Sequence, residues 1–331
     1  MAATLLTKVQ IGRETTAGTA VAADHILRVP AAFIDDQREI EHVPEDVGYL
    51  SRTNRTNEKK QLGYISIPFQ ANFEDLPFLL DMGIKAVASG VADGSGSGKI
   101  YTFTLPTTAA NTIASYTLEG ADAQQEYEMP YTFLDEITLS GSGANPLEIV
   151  ANLYGRTVTK DTATGSIALI TSDVINFGKG KLYIDAVGGT IGTTQVTGSW
   201  LDFNLNIKTG WQPMFTGDGA LYFTDLINTG PEVMLDFTLE HDAFGEARYD
   251  DFVAQTARQV RMVFEGPALT TAGSTYTYKT LMIDLVGKIE KAGPIQSRDG
   301  NNVFPFTMRC AYDATAAKFA EITVVNQVAS L

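Results

Sequence analysis

Carboxylates are the most plentiful reactive side chains in this sequence, and two runs of them stand out. One is Asp35, Asp36, Glu39 and Glu41; the other is Glu119, Asp122, Glu126 and Glu128. Paired Asp and Glu can cleave a glycosidic bond, one as acid and the other as nucleophile or base, and clustered carboxylate oxygens can hold calcium. Neither run singles out one pair, and two Trp residues offer little of the stacking that sugar clefts use. A solvated acidic face accounts for both runs. His25, His42 and His241 have no spacing suited to a shared metal, and no Gly-x-Ser-x-Gly elbow presents a serine nucleophile. The glycine-rich stretch ending in Gly98 and Lys99 is like a phosphate loop only in part. Asp93 stands where the first Gly is needed, and Ile100 where Ser or Thr must follow the Lys. A flexible loop tip is expected there. Cys310 is the single cysteine, so an internal disulfide and a cysteine-based zinc site are both excluded. No enzyme chemistry, cofactor or metal is expected.

The charge narrows the partners. With 24 Lys+Arg against 39 Asp+Glu, the formal net charge is −15. A surface that holds nucleic acid or anionic lipid by charge needs the opposite sign. The balance does suit a surface that must not stick to DNA. No apolar run approaches the roughly 18 residues of a membrane span. The opening residues lack the apolar stretch of a signal peptide. The expectation is a soluble product made in the cytoplasm.

The elements that must position these side chains are mostly strands. Val233, Leu235, Phe237 and Leu239 alternate with polar neighbours, as do Leu201, Phe203, Leu205 and Ile207. That is the pattern of strands with one buried and one wet face. Phe304, Phe306, Met308, Cys310 and Tyr312 form a third stripe, which makes Cys310 a small core residue. Two helices are expected, at Glu74–Met82 and Glu246–Arg258. Their apolar anchors are Leu76, Leu79 and Leu80 in one, and Tyr249, Phe252, Val253 and Ala257 in the other.

Each helix follows a strong strand, which suggests a repeat. Ile65, Ile67, Phe69 and Ala71 align with Val233, Leu235, Phe237 and Leu239, and the Leu118–Gly120 triplet aligns with Phe264–Gly266. Leu147–Tyr154 then matches Phe304–Tyr312 as a closing strand. The predicted fold is mainly β: two tandem β-sandwich domains, each with one short flanking α-helix. Their bounds are 1–165 and 166–331. Two unrelated β domains, or one large sandwich, remain open. The first domain carries a Gly/Ser-rich loop at 88–99 and a charged segment at 38–61. That segment holds Arg38, Glu41, Glu45, Asp46, Arg52, Arg55, Lys59 and Lys60, a composition that cannot be core. It is an exposed loop, or an arm that orders on a neighbouring subunit.

The segment Lys8–Ala23, with Gly12, Glu14, Thr15, Thr16, Gly18, Thr19 and Ala20, resembles the start of bacteriophage tail tube proteins, the major tail proteins of long, non-contractile tails. The resemblance is specific over about residues 8–23 and architectural elsewhere. It implies a structural virion protein of the double-length type, with two tube domains per chain and three chains completing a pseudo-sixfold ring. Rings stack into a channel for DNA ejection, and DNA passes through without specific binding. Implied partners are further copies of the chain, a tape measure protein and a tail terminator or connector, with no membrane. The implied location is the virion tail, assembled in the host cytoplasm. The segment at 38–61 would bind the next ring. An acidic bore would keep DNA centred, with Glu119, Asp122, Glu126 and Glu128 as candidates in the first half and Asp236, Glu240 and Asp242 in the second. The alternatives are a head-decoration or baseplate protein, or a β-sandwich carbohydrate-binding module.

Overall fold

The structure is a computed structural model that describes residues 6–122 and 124–331. It is mainly β, with antiparallel pairing throughout and two helices, as the alternation predicts. The first half holds β1 (Lys8–Arg13), β2 (His25–Leu27), β3 (Asp35–Asp36), β4 (Glu39–Pro44), β5 (Thr53–Lys60) and β6 (Gly63–Gln70). It continues with α1 (Leu76–Gly83), β7 (Val91–Ala92), β8 (Lys99–Thr104), β9 (Tyr116–Ala121), β10 (Glu126–Ser142), β11 (Glu148–Gly155) and β12 (Thr159–Asp161). The second half holds β13 (Gly180–Ala186), β14 (Gln195–Val196), β15 (Trp200–Lys208), β16 (Trp211–Met214), β17 (Asp225–Asn228) and β18 (Glu232–Glu240). After α2 (Ala243–Ala254) come β19 (Ala257–Ala268), β20 (Tyr278–Ala292), β21 (Gln296–Arg298), β22 (Asn301–Cys310) and β23 (Ala320–Asn326).

Two long strands organise the sheets. The start of β10 pairs with β9, which leads to β1 and β2; its later part pairs with β11, which leads to β6. Strand β20 repeats this order, first against β19 and so to β13 and β14, then against β22 and so to β18. Register shifts at Met129/Thr132 and Leu134/Glu136 interrupt β10, and one at Ile289/Lys291 interrupts β20. Such bulges bend a strand, so one strand can serve two sheets.

Strand β15 joins the halves. Its residues Asp202–Lys208 pair with Glu136–Ser142 of β10 on one side, and its other edge pairs with β18. The strands β6, β11, β10, β15, β18, β22 and β20 therefore make one continuous sheet. Strand β8 of the first half also pairs with β23 at the end of the second. A single apolar cluster draws on both halves, from Ile67, Leu118 and Leu139 to Leu205, Phe264 and Ile283. Lys279 bridges Glu74 and Asp173 between them.

Helix α1 is buried on every side, which suits its apolar composition, and Asn72 Oδ1 accepts the Glu74 and Asp75 N–H groups ahead of it. Helix α2 corrects the expected apolar anchors. Tyr249 and Val253 are exposed, and Ala257 opens β19. The buried side presents Gly245, Arg248 and Asp251, and Asp251 takes ion pairs from Arg248 and Arg258. A carboxylate held by two guanidiniums turns that side inward. Asp242 caps this helix, accepting from Phe244 N at 2.8 Å and Gly245 N at 3.0 Å.

The Gly/Ser stretch at 88–99 is also corrected: it is docked, not free. A Cβ on Gly96 would fall 2.4 Å from Gly273 Cα, so only glycine lets these backbones meet. Buried Asp93 accepts the Thr275 and Tyr276 N–H groups at 2.9 and 2.7 Å. Burial alone would raise its carboxyl, but these backbone bonds hold it below the usual range.

Candidate assembly interface

Both halves project a β-hairpin from the same place in the pairing order. In the first half β4–β5 lies between β3 and β6; in the second, β16–β17 lies between β15 and β18. The segment at 38–61 is thus a paired ribbon rather than a loop. Its charges hid the strands, because neither face carries an apolar alternation. Cross-strand pairs supply the register: Arg55 with Glu45 at 2.6 Å, Lys59 with Glu41 at 3.5 Å, and Arg38 with Glu58 at 3.3 Å. Exposed pairs of this kind are worth little each, so the ribbon holds together mainly by its own ladder. Asp46, Arg52 and Lys60 flank the turn or the base. Val47, Tyr49 and Leu50 sit exposed at the tip.

The two hairpins differ in what they touch. The β16–β17 hairpin folds onto the first half, where its Trp211, Phe223 and Leu226 pack with Leu62, Tyr131 and Phe133. The Arg156 guanidinium lies 4.6 Å from the Tyr131 ring centre and donates to Phe223 O at 2.9 Å. The strands of the β4–β5 ribbon pair only with each other among the described residues, and the ribbon meets the second hairpin at its base alone, where Lys60 lies 4.8 Å over the Phe215 ring and Gln61 N donates to Leu221 O at 2.8 Å.

The ends of the shared sheet are open. Among the described residues, no strand pairs with the outer edge of β6 from Ile65 to Gln70, and β20 beyond Lys288 pairs only with β22. Unpaired N–H and C=O rows of this kind are templates for another strand.

The polar face of the shared sheet carries a groove of about 810 Å³, bordered by Ser140, Glu148, Asn204, Asp236 and Lys291. Of the carboxylates expected on one acidic wall, Asp236 is here, accepting from Thr307 Oγ1 at 2.6 Å. Glu240 lies at the end of the same stripe, bonded by Asn301 Nδ2 at 3.0 Å. The others are elsewhere. Asp242 is spent on the cap of α2. Glu119 is buried and accepts from Gln10 Nε2 at 2.6 Å, Ala23 N at 3.1 Å and Thr164 N at 2.7 Å. Such a carboxylate ties three chain segments together and faces no solvent. Glu126 pairs with Lys8 at 3.6 Å, and Asp122 accepts the Gln124 and Gln125 N–H groups in a turn. Glu128 is partly buried, and burial followed by the Asp161 and Glu119 charges raises its carboxyl above the usual range.

The sequence reading missed the acids that do share the face with Asp236: Glu136, Glu148 and Asp202. Strand alternation around Ile137, Ile149 and Phe203 was the available signal. The face is mixed in sign. Arg298 holds Asp202, and Arg309 bridges Glu232 and Glu290. Glu136 is bonded by Asn206 Nδ2 at 2.7 Å, while Glu148 has no cation against it among the described residues.

Among the described residues no group of three His, Cys, Asp or Glu is placed to hold a metal ion, and no helix is long and apolar enough to cross a membrane. Burial pushes the Cys310 thiol up to about 12, so it is a poor nucleophile at neutral pH. No protein-family model matches the chain, and a search of curated proteins finds no match.

Proposed function

We propose that this chain is a structural protein that joins copies of itself head to tail into rings, and that the rings stack into a phage tail tube through which DNA passes. One observation carries the reading. The pairing order β1–β9–β10–β11–β6 recurs as β13–β19–β20–β22–β18, and the two units are joined by adding β15 to the edge of β10. A contact between unlike surfaces of two similar units leaves one of each surface free at the ends. Repeated between chains, it generates a closed ring when the rotation per unit allows, or a helix when it does not. Three chains of two units each form a pseudo-sixfold ring. The open edges at β6 and β20 are the two free surfaces that the scheme requires.

The exposed β4–β5 ribbon supports stacking, since it stands away from the core and presents apolar residues at its tip. The chain's net charge of −15 supports passage of DNA over adhesion to it. A tape measure protein and a terminator or connector are the expected partners of such a tube, in a virion tail.

Electron microscopy of the purified chain at rising concentration tests the reading. Hollow rods of uniform width, built of stacked rings, are the expected result. A discrete oligomer at every concentration, above all one that binds a glycan, would sink it in favour of a carbohydrate-binding module.

A further inference from the structure

The joint between the halves includes a seat beside α1, and the second half has an open counterpart of that seat. In the first half, the chain leaving β15 runs past the end of α1. Thr209 gives its N–H to Asp135 O and its hydroxyl to Leu134 O, both at 2.8 Å, and Trp211 Nε1 donates to Gly83 O at 2.9 Å. The receiving parts are thus the helix C-terminus and the bulged middle of β10, against which the end of β11 is paired. The second half offers the same three parts: the end of α2, the later part of β20 and the end of β22. Between them lies a groove of about 320 Å³, with Gln255, Ala257, Val286, Ile289 and Tyr312 among its lining.

The segment that corresponds to the Trp211 stretch is the one leaving β3. Strand β3 pairs with the start of β6 as β15 pairs with β18, and each leads within three residues into its hairpin. Within one chain this segment lies at the opposite end of the shared sheet from β20. It can reach such a groove only on another copy.

Resting on the head-to-tail reading above, we infer that the β20 edge and the groove beside α2 receive residues Phe33–Ile40 of a second copy of this chain. The chemistry of the two surfaces agrees. Phe33 is 60% exposed and Ile40 53% exposed, two apolar side chains with no cover of their own. Between them stand the exposed carboxylates Asp35 and Asp36; Arg38 holds Asp36 at 3.0 Å and leaves Asp35 as the acid without a cation among the described residues. The groove combines apolar Ala257, Val286, Ile289 and Tyr312 with Lys288, which has no ion pair among the described residues, and with Asp313, Glu290 and Arg309, the last two already paired with each other. Part of the donor segment is already in strand form, since Asp35 and Asp36 pair with Tyr64 and Gly63 of β6. Ala32 is buried, Ala31 and Phe33 are exposed, and Pro30 borders the same hollow as Pro68 and Phe69 of β6. Docking on β20 would give this segment the second ladder that β15 already has.

Two experiments on the full chain test the assignment. In the first, benzoylphenylalanine replaces exposed Tyr312, and a mixture of isotope-labelled and unlabelled chains is assembled and irradiated. The expected product links the groove of one copy to a peptide containing Phe33–Ile40 of another. Capture of a different segment within assembled particles overturns the assignment and leaves the tube reading intact. Absence of any assembly by the unaltered chain overturns both. In the second, Lys288→Glu places a carboxylate opposite Asp35 and Asp36. It is expected to raise the concentration needed for assembly at least about fivefold, because like charges facing across strands repel and every ring repeats the contact. Adding D35K and D36K to K288E restores assembly to within about twofold of the unaltered chain if the surfaces meet. An unchanged threshold for K288E, or no rescue by the triple variant, overturns the assignment.

Discussion

Glu14 shows how one side chain holds the most distinctive stretch of the sequence. Its buried carboxylate accepts from Gly18 N at 2.7 Å, Ser115 Oγ at 2.7 Å, Thr117 Oγ1 at 3.0 Å and Tyr131 N at 2.8 Å. The N-terminal turn is thereby tied to β9 and β10. Gly18 completes the turn at φ 77°, where a Cβ would collide with the Arg156 guanidinium. Glu14→Gln keeps the shape but replaces one acceptor oxygen with an amide that faces donors. We expect a loss of about 2–3 kcal/mol in urea unfolding, the cost of leaving buried donors without an acceptor. A midpoint within error of the unaltered protein would show that the turn is held by its glycines alone. The need for a turn was legible in Gly12 and Gly18. The role of Glu14 was not, because its partners other than Gly18 lie 101 to 117 residues away, and Glu119 was misread as a solvated acid because its partners too are distant in sequence.

At the scale of elements, strands with one apolar face were legible almost to the residue. Trp200–Lys208 is the clearest, because its alternation is set by a single buried side; only Leu201 leaves the stripe, where the register slips between Trp200 and Asp202. Elements whose cohesion is polar were not legible. Helix α2 turns Arg248 and Asp251 inward, and β4–β5 is a ribbon of charges, so hydrophobic periodicity misjudges both. The ribbon's independence from the core makes a prediction. Replacing residues 45–52 with a two-residue turn removes the tip and leaves the inner ladder of the ribbon, along with every core contact. The thermal midpoint of the isolated chain should move by less than about 2 °C, since no buried apolar surface is lost. Single rings should still form, while rods seen by electron microscopy should disappear. Rods of normal length from this variant would show that the tip plays no part in stacking.

At the scale of the whole molecule, the recurrence of a strand followed by a helix was legible, because both patterns stand in the sequence itself. The shared sheet was not, because a sequence does not state which edge β15 will add to, and β10 is about sixty residues from it. That sheet decides where charge matters for the proposed channel. If the rings close through β6 and β20, one face of the sheet packs against the core and the polar face is left for the bore. The bore would then present Glu136, Glu148, Asp202 and Asp236, partly offset by Lys208, Lys291, Arg298 and Arg309. Most of those cations are already committed: Lys208 to Glu232 at 3.9 Å, Arg298 to Asp202, and Arg309 to Glu232 and Glu290. The uncommitted charge is mainly that of Glu136, Glu148 and Asp236, so DNA near the wall meets a weak repulsion, screened beyond about 8–10 Å in physiological salt. Replacing both Glu148 and Asp236 with Lys reverses that sign in three places around each ring and leaves the sequences of β6 and β20 unchanged, Glu148 being on β11, one strand in from β6. Tubes should form as before, but they should retain short duplex DNA at low salt and release it steeply as salt rises, the behaviour of phosphate contacts. Tubes of the unaltered chain should retain none. Retention by the unaltered tubes, or none by the variant, would place the bore on another face of the sheet.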